Sequence, residues 1–246
     1  MTARGVRGED RILTVDIGGS GLKAALVDRR GRMRTERVRM KTPRPSTPRA
    51  IVRALASLVQ SLGVDSSVIG VSVGFPGVVR RGTVVTAPNL GTEAWRGFGL
   101  ADALRTLWKK PVRVINDADL QALGAARGKG VEVVTTLGTG FGFAIVVDGR
   151  LSLHLELSQI PFRKGETYDA QLGEAARQRV GKKKWNRRLE RAIEAIRALT
   201  KFDVLYIGGG NSRYVELDLP RNVRLVTNEC GMKGGAALWA EGAPRI

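Results

Sequence analysis

The chain has 246 residues, 43% of them hydrophobic, enough for one large domain or two small ones with a real core. Lys and Arg number 41 against 23 Asp and Glu, a net charge of +18; this excess favours polyanionic partners, nucleic acid or polyphosphate, unless it reflects only an arginine-rich composition. The single cysteine, Cys230, excludes an internal disulfide framework and a cysteine-rich zinc site. The first ten residues lack the apolar core of a signal peptide and no run reaches transmembrane length, so a cytoplasmic protein with no membrane partner is expected.

The apolar run Ile12 to Val15 reads as a buried strand ending in Asp16, followed by Gly18-Gly19-Ser20-Gly21 and a second apolar run, Leu22 to Val27. Two strands around a Gly-rich turn make a β-hairpin. Glycines there permit unusual φ angles and close approach, leaving backbone N–H groups to point at an anion, and Lys23 adds a positive charge. Asp16 is placed to orient Mg²⁺, which takes a carboxylate together with substrate phosphates. An ordinary tight hairpin remains the alternative, because the motif matches neither the P-loop nor the dinucleotide fingerprint.

A third strand is expected over Met33 to Met40, a loop over Thr42 to Pro48, and a helix over Arg49 to Leu62 with Thr47-Pro48 as cap and first-turn proline. Val68 to Val73 reads as a strand running into Gly74-Phe75-Pro76-Gly77, and Val78 to Ala87 as a hairpin turning at Arg80-Arg81-Gly82. A loop with Asn89 leads to a helix over Leu100 to Trp108, a strand over Pro111 to Ile115, Asn116-Asp117, and a small-residue helix over Ala118 to Arg127. A second glycine hairpin follows: Val131 to Leu137, Gly138-Thr139-Gly140-Phe141-Gly142, then Phe143 to Val147. Its echo of the first suggests an internal duplication. Lys164 to Thr200 is mostly helical and basic. Phe202 to Ile207 and Val223 to Val226 are strands, with Gly208-Gly209-Gly210 after the first, and Gly231 to Ala240 is a terminal helix.

Taken together, D-I-G-G-S at 16–20, N-D-A-D at 116–119, L-G-T-G-F-G at 137–142 and G-G-G at 208–210 resemble, in order and spacing, the motifs of the ROK (repressor, ORF, kinase) sugar kinases, over nearly the whole chain. Within that family the chain looks most like the polyphosphate glucokinases: it is short, lacks the cysteine-rich zinc motif of many members, and carries G-K-K-K-W-N at 181–186. Because the first strand starts by residue 11, the N-terminal helix-turn-helix of ROK repressors is not expected. The resemblance implies an α/β, two-lobed actin/hexokinase/Hsp70-like (ribonuclease H-like) fold with an active-site cleft between the lobes. A small N-terminal lobe would cover 1–115, with the terminal helix 231–246 as a candidate addition, and a larger C-terminal lobe 116–230.

The resemblance also implies phosphoryl transfer from inorganic polyphosphate, or ATP, to the 6-hydroxyl of glucose, with Mg²⁺ as cofactor, in a homodimer; nucleic acid is disfavoured as a partner. Asp117 would be the catalytic base. Asn89, Asn116 and Glu156 would hold the sugar, with a further glutamate downstream that is Glu166 or Glu174. Asp16, Gly18, Gly19, Ser20, Lys23, Gly138, Thr139 and Gly140 would handle phosphate, Asp16 also metal, and Gly208, Gly209 and Gly210 would line the nucleotide or distal phosphate site. Lys182, Lys183, Lys184, Arg187 and Arg188 would guide polyphosphate. The family's E-x-G-H reads Glu156-Leu157-Ser158-Gln159; Gln159 can hydrogen-bond a hydroxyl but cannot carry the charge of a histidine. His154, the only histidine, is expected to share a strand face with Glu156. The alternatives are an ATP-dependent kinase of another hexose and a binder of sugar or polyphosphate that has lost turnover.

Overall fold

The computed structural model describes residues 10–227 and 229–240. The chain divides into two compact units: the residues up to Leu120 together with those from Gly231, and Gln121–Cys230.

In the first unit, β1 (Arg11–Ile17), β2 (Gly21–Asp28), β3 (Val38–Lys41), α1 (Pro48–Gln60), β4 (Val68–Phe75), the short pair β5 (Val79–Arg80) and β6 (Thr83–Val84), α2 (Thr92–Trp95), α3 (Leu100–Trp108), β7 (Val112–Asn116) and α4 (Asp117–Ala125) follow in order. The main sheet runs β3-β2-β1-β4-β7, with β1 antiparallel to β2 and parallel to β4, and β4 parallel to β7. Parallel neighbours need crossovers, which α1 and α3 provide. The inward positions of α1 (Ile51, Leu55, Leu58, Val59) pack with Phe75 and the fully buried Trp95 in one core. Trp95 meets Phe75 at 4.9 Å between ring centroids and donates its indole N–H to Ser46 O at 2.8 Å, so its one polar atom is satisfied.

The expected third strand is shorter than the apolar pattern suggests. Met33 makes only an isolated bridge to Val27, and the ladder resumes at Val38. The hydroxyl of Thr35 takes the N–H of Leu26 at 3.0 Å, replacing a strand carbonyl and interrupting the pairing.

In the second unit, β8 (Val131–Leu137), β9 (Phe141–Val147), β10 (Arg150–Leu151), the ribbon β11 (Pro161–Arg163) and β12 (Glu166–Thr167), α5 (Tyr168–Leu172), α6 (Glu174–Val180), α7 (Lys182–Thr200), β13 (Val204–Gly208) and β14 (Val223–Leu225) follow. The main sheet runs β10-β9-β8-β13-β14, again with an antiparallel hairpin at one side and two parallel pairings at the other. The two five-stranded sheets thus have the same strand order and the same sense of pairing. Trp185, Leu189, Ile193 and Ile196 form the buried stripe of α7 against β8 and β13. Glu132, buried on β8, accepts the N–H groups of Arg127, Gly128 and Lys129 and the Tyr206 hydroxyl at 3.0 Å, so both of its oxygens have partners.

The terminal helix α8 (Cys230–Ala237) is tied into the first unit, where Ser72 donates to Gly235 O at 2.6 Å and Trp239 Nε1 to Ser72 Oγ at 2.8 Å. Among the described residues no helix is long and apolar enough to cross a membrane.

Candidate active site

The first turn is built by its carbonyls. Gly18 N–H closes the loop onto Gly21 O at 2.9 Å. Thr42 then holds two carbonyls, Gly18 O through its hydroxyl at 2.6 Å and Ser20 O through its N–H at 3.3 Å, while Arg44 holds Gly19 O at 2.8 Å. In a trans peptide the N–H points opposite to the C=O. Anchoring three successive carbonyls on one side therefore turns the amides of residues 19–21 to the other, as an anion cradle requires. None of these glycines has positive φ. What demands glycine is proximity, since a Cβ on Gly18 would meet Gly21 O at 2.9 Å. The sequence expectation of unusual φ is corrected accordingly.

Asp16, two residues before the turn, faces Lys23 across the hairpin, and Lys23 Nζ lies 2.7 Å from Asp16 Oδ2. Lys23, read from the sequence as a charge offered to phosphate, is thus already engaged by Asp16. Asp117 opens α4 at the end of β7. Gly74 leaves room for it, since a Cβ there would approach Asp117 Cα to 3.3 Å. Loss of water, then the charge of Asp16, raise the Asp117 carboxyl from its ordinary 3.8 to about 7, with Asp119 adding to the effect. Asn116 Oδ1 accepts Ala118 N–H at 2.8 Å and Asn116 Nδ2 donates to Gly77 O at 3.2 Å, so the side chain both caps α4 and fixes the Gly74-to-Gly77 turn. Asn89 is half-buried in the loop between β6 and α2.

Among the described residues no group of three or more His, Cys, Asp or Glu side chains is disposed to hold a metal ion by itself. Magnesium brought in on phosphates needs only one or two protein carboxylates, and Asp16, within electrostatic reach of Asp117, fits that requirement.

In the second unit the turn Gly138-Thr139-Gly140 closes by Gly138 N–H onto Gly140 O at 2.9 Å. Gly140 passes so near Asp169 that a Cβ would sit 2.1 Å from Asp169 Oδ1, the oxygen that accepts Phe141 N–H at 2.7 Å. Gly138 O accepts from Glu174 N–H at 2.9 Å and from Asn211 Nδ2 at 3.0 Å. The Gly208-to-Gly210 run abuts the same turn: Gly209 has φ +87°, and a Cβ there would meet Leu137 O at 2.3 Å, so glycine is required twice over.

Glu156 lies in an irregular segment just before a 3₁₀ turn over Leu157–Gln159, not on the expected strand, because β10 ends at Leu151. Its pairing with His154 forms all the same. His154 Nε2 lies 2.7 Å from Glu156 Oε1 and Ser158 Oγ donates to Oε2 at 3.0 Å, while Gln159 Nε2 donates to Ser158 Oγ at 3.1 Å. The His154 bond, with help from Ser158, holds the Glu156 carboxyl below its ordinary value although burial opposes this. Ser158 is thus one of the two supports of the Glu156 carboxylate.

Both downstream glutamates have partners of their own. Glu174 is tied to the Gly138–Gly140 turn and paired with Arg177, whose Nε lies 3.2 Å from its Oε2; Glu166 is engaged by Gln171 and Arg179. The acid that feels Glu156 is Asp169, which burial, and then the Glu156 charge, raise above its ordinary value. Asp169 carries no motif signature, and only its place in α5 brings it to the turn.

Within the basic stretch, Trp185 and Asn186 are structural. Trp185 Nε1 donates to Leu172 O at 2.9 Å, and Asn186 bonds Tyr214 O at 3.0 Å and Glu216 N–H at 2.8 Å. Lys182 pairs with Glu216, Lys183, Lys184 and Arg187 are exposed, and Arg188 is half-buried.

Two units with one sheet topology, each presenting a tight glycine turn, and a carboxyl raised to about 7 at a strand end fit a phosphotransferase of the actin/hexokinase/Hsp70-like fold. The ROK family model matches residues 12–153, more than half of the chain, and the chain belongs to the ROK family. The polyphosphate glucokinase of Mycobacterium tuberculosis (strain CDC 1551 / Oshkosh) is 32% identical over 220 residues, covering 84% of this chain and 80% of the relative. The crystal structure of an inorganic polyphosphate/ATP-glucomannokinase from Arthrobacter sp. strain KM superposes with a TM-score of 0.83 at 30% identity, covering 93% of this chain and 97% of the other. A ROK family glucokinase from Streptomyces griseus, solved with glucose and AMPPNP, shares the fold at a TM-score of 0.77 and 21% identity, over 93% of this chain and 98% of its own.

Proposed function

We propose that this chain is a polyphosphate-dependent glucokinase: it transfers a terminal phosphoryl group from inorganic polyphosphate, with ATP as a second donor, to the 6-hydroxyl of glucose. The observation that carries the reading is Asp117, a carboxyl raised to about 7 beside Asp16 at the end of β7. A base of that strength is half-ionised near neutrality and takes a hydroxyl proton readily as the oxygen attacks phosphorus. Similarity to the mycobacterial polyphosphate glucokinases and the Arthrobacter glucomannokinase supports the donor and the sugar.

Asn89, Asn116, Glu156 and Gln159 hold sugar hydroxyls. The turns Gly18 to Ser20 and Gly138 to Gly140 take phosphate oxygens through amides other than those of Gly18 and Gly138, which close the turns, with Gly208 to Gly210 serving the distal part of the donor. Asp16 holds Mg²⁺ against the phosphates, and the ion supplies charge neutralisation on the transferring group. Lys23, which pairs with Asp16, would offer its charge to the phosphates beside that carboxylate. Glu174 supports the second turn, a role better matched to its bonds than sugar contact. The Ser158-Gln159 replacement does not disable the glutamate, since Ser158 itself orders Glu156. The reading carries with it a cytoplasmic homodimer, which sedimentation tests.

The decisive assay is glucose 6-phosphate formation with Mg²⁺ and either long-chain polyphosphate or ATP, with mannose as a second acceptor. Product from polyphosphate, abolished in Asp117→Ala, is the expected result. Product from ATP alone sinks the polyphosphate assignment. Sugar binding without product from either donor makes the chain a binder instead.

A further inference from the structure

Two other arginines of this unit are already spoken for. Arg177 lies over the Tyr214 ring at 3.9 Å and pairs with Glu174; Arg197 covers Phe202 at 4.5 Å and bonds Asn222. A different group collects at the far end of α6. Arg163 stands directly opposite Glu166 in the β11–β12 ribbon. Arg179 Nη2 lies 3.5 Å from Glu166 Oε2 and 3.3 Å from Ala170 O. Arg188 Nη1 reaches Gln171 O at 3.3 Å, and Gln171 in turn donates to the Glu166 carboxylate. Three guanidinium groups, with about fifteen N–H donors between them, share a single carboxylate. Arg188 is lowered from its ordinary value by burial and by the charges of Arg163 and Arg179, with Glu166 the one opposing charge. The cluster thus holds two positive charges in excess of its own counter-charge, a repulsion that a bound polyanion relieves.

Its position is as informative as its charge. α6 starts on the phosphate turn, where Glu174 N–H bonds Gly138 O at 2.9 Å, and Arg179 lies in its last turn. Seven helical residues span about 10 Å. A linear donor with its reacting end at Gly138–Gly140 reaches the cluster only if it continues for about that length. The nearby rings give bases no platform: Phe162 and Tyr168 stack on each other at 4.4 Å and Tyr168 is buried.

We infer that Arg163, Arg179 and Arg188 form a docking site for the distal phosphates of a long inorganic polyphosphate chain, about one α6 length from the turn that holds its reacting end. The inference rests on the polyphosphate reading above. It joins Arg188, already assigned to guiding polyphosphate, with Arg163 and Arg179 at the junction of α5, α6, α7 and the ribbon.

The test is the double variant Arg163→Gln/Arg179→Gln beside wild type, in initial rates at saturating glucose with long-chain polyphosphate, tripolyphosphate or ATP, at several salt concentrations. The expected result is a rise of about tenfold in KM for the long chain. Its log–log salt dependence becomes shallower by one to two, as loss of two phosphate contacts predicts. The KM values for tripolyphosphate and ATP stay within about twofold. Arg163→Lys/Arg179→Lys, which keeps the charges, recovers most of the long-chain affinity. An equal rise for all three donors makes the cluster structural and overturns the inference. So does an unchanged long-chain KM, which leaves the polyphosphate reading standing. If wild type makes no product from polyphosphate while ATP serves, the polyphosphate reading falls and the inference falls with it.

Discussion

The two glycine turns close alike and are held by different chemistry. Each is sealed by one N–H to carbonyl bond of 2.9 Å, Gly18 to Gly21 in one unit and Gly138 to Gly140 in the other. The first is anchored from behind by Thr42 and Arg44, and the second by Asp169, Asn211 and Glu174. Two residues before the turn the first unit has Asp16 facing Lys23, whereas the second has Thr136 facing Gly142. The repeated frame supplies a tight turn in both halves, but only the first copy carries an acid–base pair facing across the hairpin two residues before the turn. Asp16 can therefore be altered without touching the bonds that hold the first turn, whereas Asp169 is itself a bond that holds the second.

The largest effect is expected at Asp117. Asp117→Asn removes the proposed base and is expected to lower kcat by about 10²–10⁴-fold with all donors. In wild type the base must be ionised, so kcat/KM falls about tenfold per pH unit below about 7 and levels above it. Stability moves the opposite way. A carboxyl whose folded-state value is raised binds its proton more tightly in the native state, so its contribution is favourable at low pH and declines as pH rises from about 4 to about 7. Asp117→Asn is therefore more stable than wild type at pH 8, with a ceiling of about 4 kcal/mol for this rise, and the gain shrinks toward pH 4. Chemical denaturation at the two pH values measures it.

Next comes the pair that contrasts the two units directly. Asp16→Asn lowers kcat about 10²-fold and raises the Mg²⁺ concentration needed for half-maximal rate. Because the Asp16 charge helps to raise Asp117, the residual activity has its acid limb at lower pH than wild type. Thr136→Val, at the equivalent place in the second unit, leaves the acid limb where it was. A limb that fails to move in Asp16→Asn breaks the proposed coupling.

Much of this contrast was legible in the sequence, and what was not has a physical reason. Strand–glycine–strand repeats, Asn116-Asp117 after an apolar run, and the helical stripe on α1 are local patterns, and each fell where expected. The Met33-to-Met40 strand failed because the Thr35 side chain competes for a backbone donor, which apolar content does not reveal. Glu156 and His154 met although the strand expected to align them is absent; proximity in sequence sufficed. Asp169, Asn211 and the Arg163–Arg179–Arg188 cluster were hidden because tertiary packing, with no motif of its own, brings them to their places.

The frame of the second turn is tested by two neighbouring glycines. Gly140→Ala forces a Cβ onto Asp169 Oδ1 and breaks its bond to Phe141 N–H, whereas a Cβ on Gly138 meets nothing within 4 Å. Gly140→Ala should cost about 2 kcal/mol, and Gly138→Ala less than about 0.5 kcal/mol. In thermal melts the first shifts Tm by about 4–8 °C and the second scarcely moves it. Equal shifts would mean that the Asp169 brace does not hold the turn.

The smallest effect is expected on sugar affinity. Glu156 Oε1 is held by His154 and Oε2 by Ser158, so each support fixes a different oxygen of one carboxylate. Removing a hydrogen bond to a charged group costs about 1.5–3 kcal/mol when nothing replaces it, but Glu156 is partly exposed and water takes up part of the loss. His154→Ala should therefore raise KM for glucose by about fivefold and leave kcat within about twofold. His154→Gln, which still presents an N–H, recovers part of the affinity. The bond to His154 also keeps the Glu156 carboxyl below its ordinary value. Without it the carboxylate takes up its proton at higher pH, and KM for glucose begins to climb on acidification sooner than in wild type. A drop in Tm with no change in KM, at any pH, would reduce His154 to packing and leave Ser158 as the sole support of the glutamate.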